Sequence, residues 1–393
     1  MSAKATESVL SQGVAQVLPN SASLAKLMSR KKIRLYLGID PTGSLLTLGH
    51  GVVLRKLQQF AELGHEVTLL VGNGTVRIGD PTGRDSTRPV LTDEIIKENF
   101  KNWKQQASRI LDFKKIKVQY NGDWLDKLKF EDLVHLMGKV TVQQLLERDM
   151  FQKRIKEGKP IFGHEIIYPL LQGYDSVAMN VDLEIGGNDQ TFNMLMGRTL
   201  QKVYNDREKW VLTTPIINGT DGRKMSQSYN NFISISDEPN EMFGKLMSVA
   251  DDVMLEYYEI FTNEDVTEAK KFIKTDPRNA KVRLAKLIVT WLHDTDAADR
   301  AEQDFVTKFV KKETPEEMPE FEVPHDSNAL YAVIFEDLKL VSSGGEARRV
   351  IEQGGVSIDG KVIKDHYFGV KFSETPIVIK VGKRKFAKVR RKK

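Results

Sequence analysis

A strand, a turn and a helix follow one another at residues 33–63, and a second strand comes directly after them. The first strand is the apolar run 33–39, which ends in the turn Asp40-Pro41-Thr42-Gly43. The helix ends at Gly64 and carries apolar residues at helical spacing, namely Val52, Val53, Leu57, Phe60 and Leu63. The second strand is the apolar run 66–72. This order predicts a βαβ unit, and therefore a parallel sheet with a right-handed crossover.

The alternation of strands and helices continues to about residue 232 and predicts one α/β domain. We expect a helix at about 92–112, a strand at 116–120, a helix at 190–203 and a strand at 211–217. Residues 123–163 predict inserted helices with apolar positions at Leu133, Met137, Val140, Leu145 and Leu146. Residues 1–30 predict a short helical lead-in whose apolar positions are Val9, Val14, Val17 and Leu18.

The remainder of the chain predicts a small helical domain, a linker and an α+β domain. Apolar stripes at helical spacing run through residues 233–312. Residues 313–327 contain three prolines among acidic residues, which is typical of a linker. Residues 328–393 predict helices at 329–338 and 345–353, and then a hairpin that turns at Asp359-Gly360. A length of 393 residues agrees with more than one domain.

Charge and composition limit the class of protein. The net charge is +5, and nine of the basic residues fall between Lys380 and Lys393, where there is no acidic residue. Such a basic tail is typical of RNA or DNA binding, and a solubilising tail is the alternative. The chain has no cysteine, which excludes disulfides and thiolate metal sites. With neither an apolar run of eighteen residues nor a cleavable signal pattern, we expect a cytoplasmic protein.

Four polar or glycine-rich segments follow predicted strands, at 40–50, 72–88, 172–190 and 219–228. The carboxyl ends of parallel strands share one edge of a sheet, so these segments can converge on one crevice. Two of them suit phosphate, with Gly49 and His50 at a helix start in one and Lys224, Ser226 and Ser228 in the other. The other two carry polar groups suited to a small polar molecule, namely Asp80, Gln172, Asp175, Asp189 and Gln190.

These motifs resemble those of the class I aminoacyl-tRNA synthetases. Thr47-Leu48-Gly49-His50 and Lys224-Met225-Ser226-Gln227-Ser228 resemble the two signature motifs of that class. Four further motifs narrow the resemblance to tyrosyl-tRNA synthetases of the bacterial type: Tyr36-x-Gly38-x-Asp40-Pro41-Thr42, Gly79-Asp80-Pro81-Thr82-Gly83-Arg84, Tyr168-x3-Gln172-x2-Asp175 and Gly186-Gly187-x-Asp189-Gln190. The resemblance covers nearly the whole chain, and its C-terminal part resembles the RNA-binding fold named after a small-subunit ribosomal protein.

The resemblance implies an architecture and a reaction. It implies a Rossmann-like catalytic domain at 1–232, an α-helical anticodon-side domain at 233–312 and an RNA-binding domain at 328–393. The implied reaction has two steps, in which tyrosine and ATP form tyrosyl-adenylate and pyrophosphate, and the tyrosyl group then passes to the 3′-terminal ribose of tRNA(Tyr). Neither step requires a protein nucleophile. The implied partners are L-tyrosine, ATP with its Mg²⁺, tRNA(Tyr) and a second copy of the chain, with no membrane and no protein-held metal.

The resemblance also assigns roles to individual residues. Tyr36 and Asp175 face the phenol hydroxyl of tyrosine, Asp80, Tyr168 and Gln172 face its ammonium group, and Gln190 faces its carboxylate or the ribose. The nucleotide side comprises Gly38, Asp40, Gly49, His50, Gly187, Asp189, Lys224, Met225, Ser226 and Ser228. The catalytic groups are Thr47, His50, Lys224, Arg84 and Arg88, and Lys224 holds pyrophosphate together with Arg84 or Arg88. The tRNA contacts are Arg348, Arg349, Lys383 and Arg384.

Two positions depart from the family pattern, and other interpretations remain. Thr47 stands where the first signature usually has histidine, and Gln227 stands where the second usually has lysine. Tyr36 alone is also compatible with core packing, Asp80 with a turn and Asp175 with a helix cap. The competing functions are the tryptophan-specific sister enzyme, a non-catalytic RNA-binding relative and a nucleotidyltransferase that acts on small molecules.

Overall fold

The predicted parallel sheet is present in the first part of the chain. The computed structural model describes residues 3–81, 91–307, 318–382 and 385–392. They divide into two compact units, 1–302 and 303–393, which we describe separately. In the described part of the first unit, six strands form one sheet in the order β1-β6-β5-β2-β3-β4. They are β1 Gln16–Leu18, β2 Arg34–Ile39, β3 Glu66–Val71, β4 Ile116–Tyr120, β5 Leu183–Gly187 and β6 Trp210–Thr214.

The order of the strands creates a crevice between β2 and β5. All neighbouring pairs are parallel except β1 and β6. The chain moves outward from β2 through β3 to β4, and then returns to the other side of β2 with β5 and β6. In register, Tyr36 of β2 lies opposite Thr68 of β3 and Glu184 of β5. Ligands of open α/β sheets bind where the strand order reverses, which here is outside the carboxyl ends of β2 and β5.

Helices connect the strands and complete the first unit. Helix α3 buries Val52, Leu54, Leu57 and Phe60 along one stripe, as its periodicity predicts. The helices are α1 Ala3–Ser11, α2 Ser21–Arg30, α3 Leu48–Glu62, α4 Asp93–Ala107, α5 Gly122–Leu125, α6 Phe130–Met137, α7 Val142–Leu146, α8 Asp149–Lys156, α9 Gly163–Met179, α10 Thr191–Asn205, α11 Pro239–Met247, α12 Met254–Phe261, α13 Val266–Thr275, α14 Pro277–Leu292 and α15 Thr295–Phe305.

Two expectations for the first unit are wrong in part. Val17 and Leu18 belong to the short strand β1, which pairs with β6, and not to a helical lead-in. Segment 172–190 is not a strand-end loop throughout, because residues 172–179 belong to α9. Gly173 argues against a helix in the sequence, because glycine is unfavourable in a helix interior. It is needed for packing, since a Cβ there would lie 2.9 Å from Leu200 and 3.0 Å from the Gly197 backbone nitrogen.

The helices after residue 236 are not packed as a separate body. Helices α11 to α14 and the first part of α15 belong to the same compact unit as the sheet. Gly51 of α3 lies close to this region, because a Cβ there would be 3.5 Å from Trp291 and 3.8 Å from Phe261. Arg55 also donates to the carbonyl oxygens of Phe261 and Thr262, at 2.7 and 3.2 Å. The chain therefore does not divide into two separately packed bodies at position 232/233.

The second unit is a small α+β body with its own core. Its strands are β7 Glu320–Val323, β8 Val356–Ile358, β9 Lys361–Ile363, β10 Ile377–Val381 and β11 Lys385–Arg391, in the sheet order β7-β11-β10-β8-β9. Helix α16 (Leu330–Ala332) continues as a π-helical turn at Val333–Asp337, and α17 spans Gly344–Glu352. The predicted hairpin of β8 and β9 is confirmed. Asp359 and Gly360 have φ values of 47° and 83°, which fit a two-residue hairpin turn.

The structure corrects the linker and the basic tail. Residues 320–323, expected in a linker, form β7, which pairs in parallel with β11. Residues 385–391, expected in a tail, form β11 between β7 and β10. The reason is the alternation in β11, where Ala387 and Val389 are fully buried. Lys388 and Arg390 pair instead with Glu320 and Glu322, at 3.4 and 2.7 Å.

Candidate active site

A cleft of about 580 Å³ opens at the carboxyl ends of β2 and β5. This volume falls in the range of small-molecule sites. The cleft is lined by most of the described residues that the sequence singled out: Tyr36, Gly38, Asp40, Thr47, Gly49, His50, Asp80, Tyr168, Gln172, Asp175, Gly187, Asp189, Gln190, Lys224, Met225 and Ser228. Ser226 does not line it, whereas Gln227 does. Arg84 and Arg88 lie outside the described residues.

The first signature segment is fixed at the start of α3. Thr47 is the N-cap of the helix, and its backbone N–H donates to His50 Nδ1 at 3.1 Å. Since Nδ1 accepts, the ring proton lies on Nε2. Burial lowers the pKa of His50 to about 4, so the ring is neutral at pH 7. His50 therefore offers one N–H donor and no positive charge at the helix N-terminus.

The second signature segment is a loop built around Asn231, which is 2% exposed. The Asn231 side chain accepts from the Ser226 N–H at 2.8 Å and donates to the carbonyl oxygens of Arg223 and Lys224, at 3.2 and 3.1 Å. Its backbone oxygen accepts from the Thr220 N–H at 2.9 Å. These contacts fix the backbone on both sides of Lys224. The Lys224 side chain itself is 58% exposed, with Nζ 3.7 Å from Asp189 Oδ2.

The two signature segments contact each other. Leu48 N–H donates to the Ile233 carbonyl oxygen, and Ile235 N–H donates to that of Leu46, both at 2.9 Å. Gln227 Nε2 donates to the Leu45 carbonyl oxygen at 3.1 Å. A Cβ at Gly49 would lie 3.9 Å from Met225 Sδ, so the Met225 side chain packs near the start of α3. The groups suited to phosphate therefore lie along one wall of the cleft.

Asp40, which follows β2, accepts hydrogen bonds from two side chains near the cleft. Tyr168 of α9 donates to Asp40 Oδ2 at 2.9 Å, and Thr75 donates to Asp40 Oδ1 at 2.8 Å. A Cβ at Gly72 would collide with Asp40 Oδ1, so only glycine leaves room for this carboxylate. Burial, followed by the charge of Asp40, raises the pKa of Tyr168 well above its ordinary value. Tyr168 therefore stays protonated and donates.

Asp80 is held by one predicted residue and one that the sequence did not indicate. Gln190 Nε2 donates to Asp80 Oδ2 at 2.7 Å. Arg148, at the start of α8, places its guanidinium 3.9 Å from Asp80 Oδ1 while only 6% exposed. The same guanidinium lies 5.2 and 5.4 Å from the ring centres of Phe192 and Phe151. Arg148 thus places a buried positive charge behind the Asp80 carboxylate.

Asp175 and Tyr36 lie at the deep end of the cleft. Asp175 is 2% exposed and accepts from Trp124 Nε1 at 2.8 Å and Asn121 Nδ2 at 3.2 Å. Burial raises the pKa of this carboxyl well above its ordinary value, although both hydrogen bonds act in the opposite direction. Tyr36 is fully buried, and its hydroxyl lies 2.9 Å from Ser176 Oγ. Burial and then Glu184 raise the pKa of Tyr36 well above its ordinary value.

Several residues of the site were missed by the sequence analysis. Asn121 directly follows β4, and that strand-end position was a usable signal. Trp124 lies in the segment that we expected to be inserted helices, and nothing in its spacing indicates the cleft. Glu184 and Lys209 are buried within or beside apolar strands, where sequence periodicity does not distinguish a charged pair.

The expected tRNA contacts belong to the second unit. Arg348 and Arg349 are exposed on α17. Lys383 and Arg384 lie outside the described residues. Within the described ranges, no group of three His, Asp or Glu residues could hold a metal ion. In the same ranges, no helix is long and apolar enough to cross a membrane.

Comparison with known proteins places the chain in a family. Residues 28–310 match the family model of "tRNA synthetases class I (W and Y)", and residues 333–375 match that of the S4 domain. Tyrosine–tRNA ligase of Carboxydothermus hydrogenoformans is 45% identical over 97% of this chain and 96% of its own length. Tyrosine–tRNA ligase of Thermotoga maritima is 44% identical over the same shares of the two chains.

Solved structures share the fold at lower identity. A truncated mitochondrial tyrosyl-tRNA synthetase of Aspergillus nidulans has a TM-score of 0.66 and 23% identity, over 78% of this chain and 94% of that one. Tyrosyl-tRNA synthetase of Archaeoglobus fulgidus, complexed with L-tyrosine, has a TM-score of 0.61 and 21% identity, over 77% of this chain and 100% of that one. The sequence relatives, which span nearly the whole chain, decide the family: this chain belongs to the bacterial-type tyrosyl-tRNA synthetases, with a class I catalytic region and a C-terminal S4 domain.

Proposed function

We propose that the cleft activates L-tyrosine with ATP and then transfers the tyrosyl group to tRNA(Tyr). The chain's function as a tyrosine–tRNA ligase follows from its family. The observation that carries the assignment of the cleft is the contact between the two signature segments, opposite a pocket that contains Asp80, Gln172 and Asp175. One cleft can therefore hold a nucleotide and an amino acid side by side.

The nucleotide side uses groups that neutralise phosphate charge. His50 Nε2–H donates to a phosphate oxygen of ATP, and the glycines Gly38, Gly49 and Gly187 allow the nucleotide to approach the backbone. Lys224 holds pyrophosphate together with Arg84 or Arg88. Its ion pair with Asp189 is long and solvent-exposed, and such pairs are weak, so Lys224 can leave it when ATP binds. Mg²⁺ enters with ATP, as part of the substrate.

The amino-acid side holds tyrosine at both ends. Its ammonium group lies among Asp80, Tyr168 and Gln172, and its phenol hydroxyl lies between Tyr36 and Asp175. Gln190 and Asp189 face the carboxylate or the ribose. A phenylalanine in this pocket leaves buried polar groups without a partner, and tyrosine-specific synthetases are an established example of such rejection.

The chemistry follows from position and charge. A carboxylate oxygen of tyrosine attacks the α-phosphorus of ATP, and the bond to the pyrophosphate oxygen breaks. The terminal ribose hydroxyl of tRNA then attacks the tyrosyl carbonyl carbon, and AMP leaves. Both nucleophiles belong to substrates, so the protein lowers the barrier by alignment and by stabilising negative charge on the phosphates. Thr47 contributes through His50, because its Oγ1 lies 3.1 Å from His50 Nδ1.

The second unit and the helices after residue 236 contact tRNA in this proposal. Arg348 and Arg349 are exposed and suited to phosphates, and Lys383 and Arg384 extend the same role. Helices within 233–312 face the anticodon side. Tyrosine, ATP and tRNA meet in the cytoplasm during protein synthesis, and we place the chain there.

We further propose a homodimer formed through the helices α6 to α9. Large apolar side chains are exposed there, namely Phe130 (83%), Val142 (59%), Val134 (53%), Phe162 (48%) and Met137 (45%). A cluster of exposed apolar residues is typical of an interface. Light scattering should give the mass of a dimer for the wild type and of a monomer for a Phe130→Lys, Val134→Lys variant. A wild type that stays monomeric at micromolar concentration contradicts the dimer.

Amino-acid-dependent exchange between ATP and pyrophosphate tests the activity. We expect exchange with tyrosine and little with phenylalanine or tryptophan. Exchange with tryptophan indicates the sister enzyme, and a lack of exchange with any amino acid indicates a non-catalytic relative. Charging of tRNA(Tyr) with labelled tyrosine then separates a synthetase from a small-molecule nucleotidyltransferase.

A further inference from the structure

A buried ion pair lies directly behind the amino-acid pocket. Glu184 of β5 is 1% exposed, and Lys209, just before β6, is 0% exposed. Lys209 Nζ donates to Glu184 Oε2 and, at 2.9 Å, to the Met194 carbonyl oxygen. Neither residue belongs to the motifs that indicated the family. Glu184 lines the cleft, so the pair is part of its wall.

The fold provides specific space for this pair. Burying two charges removes their hydration, and apolar residues of similar volume often give equal or greater stability. Gly197 of α10 leaves room for the ammonium group, since a Cβ there would lie 2.5 Å from Lys209 Nζ and 2.7 Å from Ser176 Oγ. The pair is therefore poorly explained by stability alone, and its contacts suggest another role.

One carboxylate oxygen of Glu184 orients the ammonium end of the pocket. Gln172 Nε2 donates to Glu184 Oε1 at 3.2 Å. A carboxylate only accepts, so the amide nitrogen must face Glu184. The Gln172 carbonyl oxygen has no hydrogen-bond donor among the described residues, and it is the atom that can accept from a substrate ammonium group. Without Glu184 the amide could turn and present its nitrogen to that group.

The other carboxylate oxygen acts at the phenol end. Ser176 Oγ donates to Glu184 Oε2 over a long 3.5 Å contact. With that proton used, Ser176 Oγ accepts from the Tyr36 hydroxyl at 2.9 Å. The Tyr36 oxygen then keeps its lone pairs for a hydroxyl donor. Tyr36 and Glu184 lie opposite each other on β2 and β5, so the strand register fixes this geometry.

We propose that Glu184 and Lys209 form a positioning pair for tyrosine selection, which fixes Gln172 at the ammonium end and Tyr36 at the phenol end. The proposal rests on the proposed function, because it assumes that the substrate in this pocket is tyrosine. Lys209 acts through Glu184. Its ion pair with Glu184 holds the carboxylate in one orientation.

A double variant with two apolar side chains, Glu184→Met with Lys209→Met, tests the pair without leaving one charge unpaired. In tyrosine-dependent pyrophosphate exchange we expect KM for tyrosine to rise about tenfold, since a hydrogen bond to a charged group is lost. The ratio of kcat/KM for tyrosine to that for phenylalanine should also fall about tenfold, because the hydroxyl is less strictly required. KM for ATP should change less than about twofold, as the phosphate wall is untouched.

Two further variants make the test specific. Glu184→Gln with Lys209→Met keeps an acceptor oxygen for Gln172, so its KM for tyrosine should lie between those of the wild type and the dimethionine variant. If the dimethionine variant does not fold, this variant and Gly197→Ala supply the same kinetic readout. Lys56→Met is the matched control. It removes another buried ammonium, which donates to the carbonyl oxygens of Val9 and Gln12, and it should leave the tyrosine/phenylalanine ratio unchanged.

The outcomes separate this proposal from the proposed function. If the wild type shows no tyrosine-dependent exchange, the proposed function fails first. If the wild type is active and the folded pair variants keep its KM for tyrosine and its tyrosine/phenylalanine ratio, the positioning role is wrong. An equal rise in KM for ATP, or an equal change in Lys56→Met, also overturns it, because the effect is then general to the fold.

Discussion

His50 shows how one residue's chemistry is set by its position in a helix. It occupies the third position of α3, where its Nδ1 accepts from the N-cap N–H. Burial lowers its pKa, and a helix N-terminus also disfavours a positive charge. The imidazole is thus held as a neutral donor. Thr47 stands where the family usually has histidine. The His50 ring donor is nevertheless kept, because the backbone N–H of Thr47 fixes the His50 tautomer.

The lowered pKa of His50 predicts an acid-dependent loss of stability. The folded ring has a pKa of about 4, below its ordinary 6.5, so the unfolded chain binds more protons in between. The His50 contribution is present above about pH 6.5 and is lost as the pH falls towards 4. The contribution of His50 to the free energy of unfolding is below about 3 kcal/mol, because the ring is partly exposed and solvent reduces the effect.

Urea unfolding at pH 7.5 and 4.5 checks this expectation. All four tryptophans belong to residues 1–302, so their fluorescence reports on the first unit. His50→Gln keeps an acceptor at the third helical position, as in a capping box. Its unfolding midpoint should fall less between the two pH values than that of the wild type. His164→Gln, at an exposed position, should behave like the wild type. Equal midpoint shifts in all three proteins contradict the assignment.

Substitutions of Lys224 and Gln227, both in the second signature motif, should have unequal effects on tyrosine activation. In the proposed function Lys224 carries the charge for pyrophosphate, whereas Gln227 has no charge and donates to the Leu45 carbonyl oxygen from an exposed position. Lys224→Ala should lower the rate of tyrosine activation by about a hundredfold or more, as expected when a charged transition-state contact is removed. Gln227→Ala should lower it less than about tenfold. Pyrophosphate exchange at saturating tyrosine measures both, and equal losses would falsify the assignment.

At the scale of elements, the loop at 219–231 is a preformed structure and not only a flexible connection. Its residues surround the Asn231 side chain, whose nitrogen and oxygen both bind loop backbone. A Cβ at Gly219 would collide with the Asn231 backbone oxygen, so glycine is required for the close approach. The loop therefore presents Lys224 from a fixed backbone, while the Lys224 side chain remains exposed.

Removal of the Asn231 amide should therefore damage activation more than tyrosine binding. For Asn231→Ala we expect at least about a tenfold loss of the activation rate, because three partly buried backbone groups lose a hydrogen bond. KM for tyrosine should stay within about twofold, since the amino-acid side is not contacted. Asn230→Gly is the control, because Asn230 has a φ of 51° that glycine adopts readily. Single-turnover formation of tyrosyl-adenylate measures the rate, and wild-type activity in Asn231→Ala contradicts the role.

Strands and their polar ends could be predicted from the sequence, and buried polar contacts could not. The prediction of the strand at 116–120 is correct to the residue, because Ile116, Val118 and Tyr120 alternate with polar residues and the turn pair Asn121-Gly122 follows. Tyr168, Gln172 and Asp175 have the spacing of one helical face, yet glycine and proline in that stretch favoured a loop. Arg148 and Lys209 depend on partners distant in sequence, Asp80 and Glu184, and no local pattern reports such pairs.

The whole molecule combines two units, each with its own core. The second unit buries Leu330, Val333, Ile351, Ile379 and Val389 around its five-stranded sheet. The cleft residues all belong to the first unit, and the exposed arginines of α17 to the second. The roles proposed for these two sets, tyrosine activation by the cleft and tRNA contact by α17, are therefore separable in principle, since each set is held by a different unit.

This separation predicts the effect of neutralising α17. Arg348→Ala with Arg349→Ala should raise KM for tRNA(Tyr) in aminoacylation about tenfold in low salt, because two phosphate contacts are lost. The slope of log binding constant against log salt should become shallower by about 0.7–0.9 per lost contact. Tyrosine-dependent pyrophosphate exchange, which needs no tRNA, should remain at the wild-type rate. Lys361→Ala, on the exposed side of β9 in the same unit, serves as the control for a lost positive charge. A fall in pyrophosphate exchange, or an unchanged KM for tRNA, shows that α17 does not bind tRNA independently of the catalytic cleft.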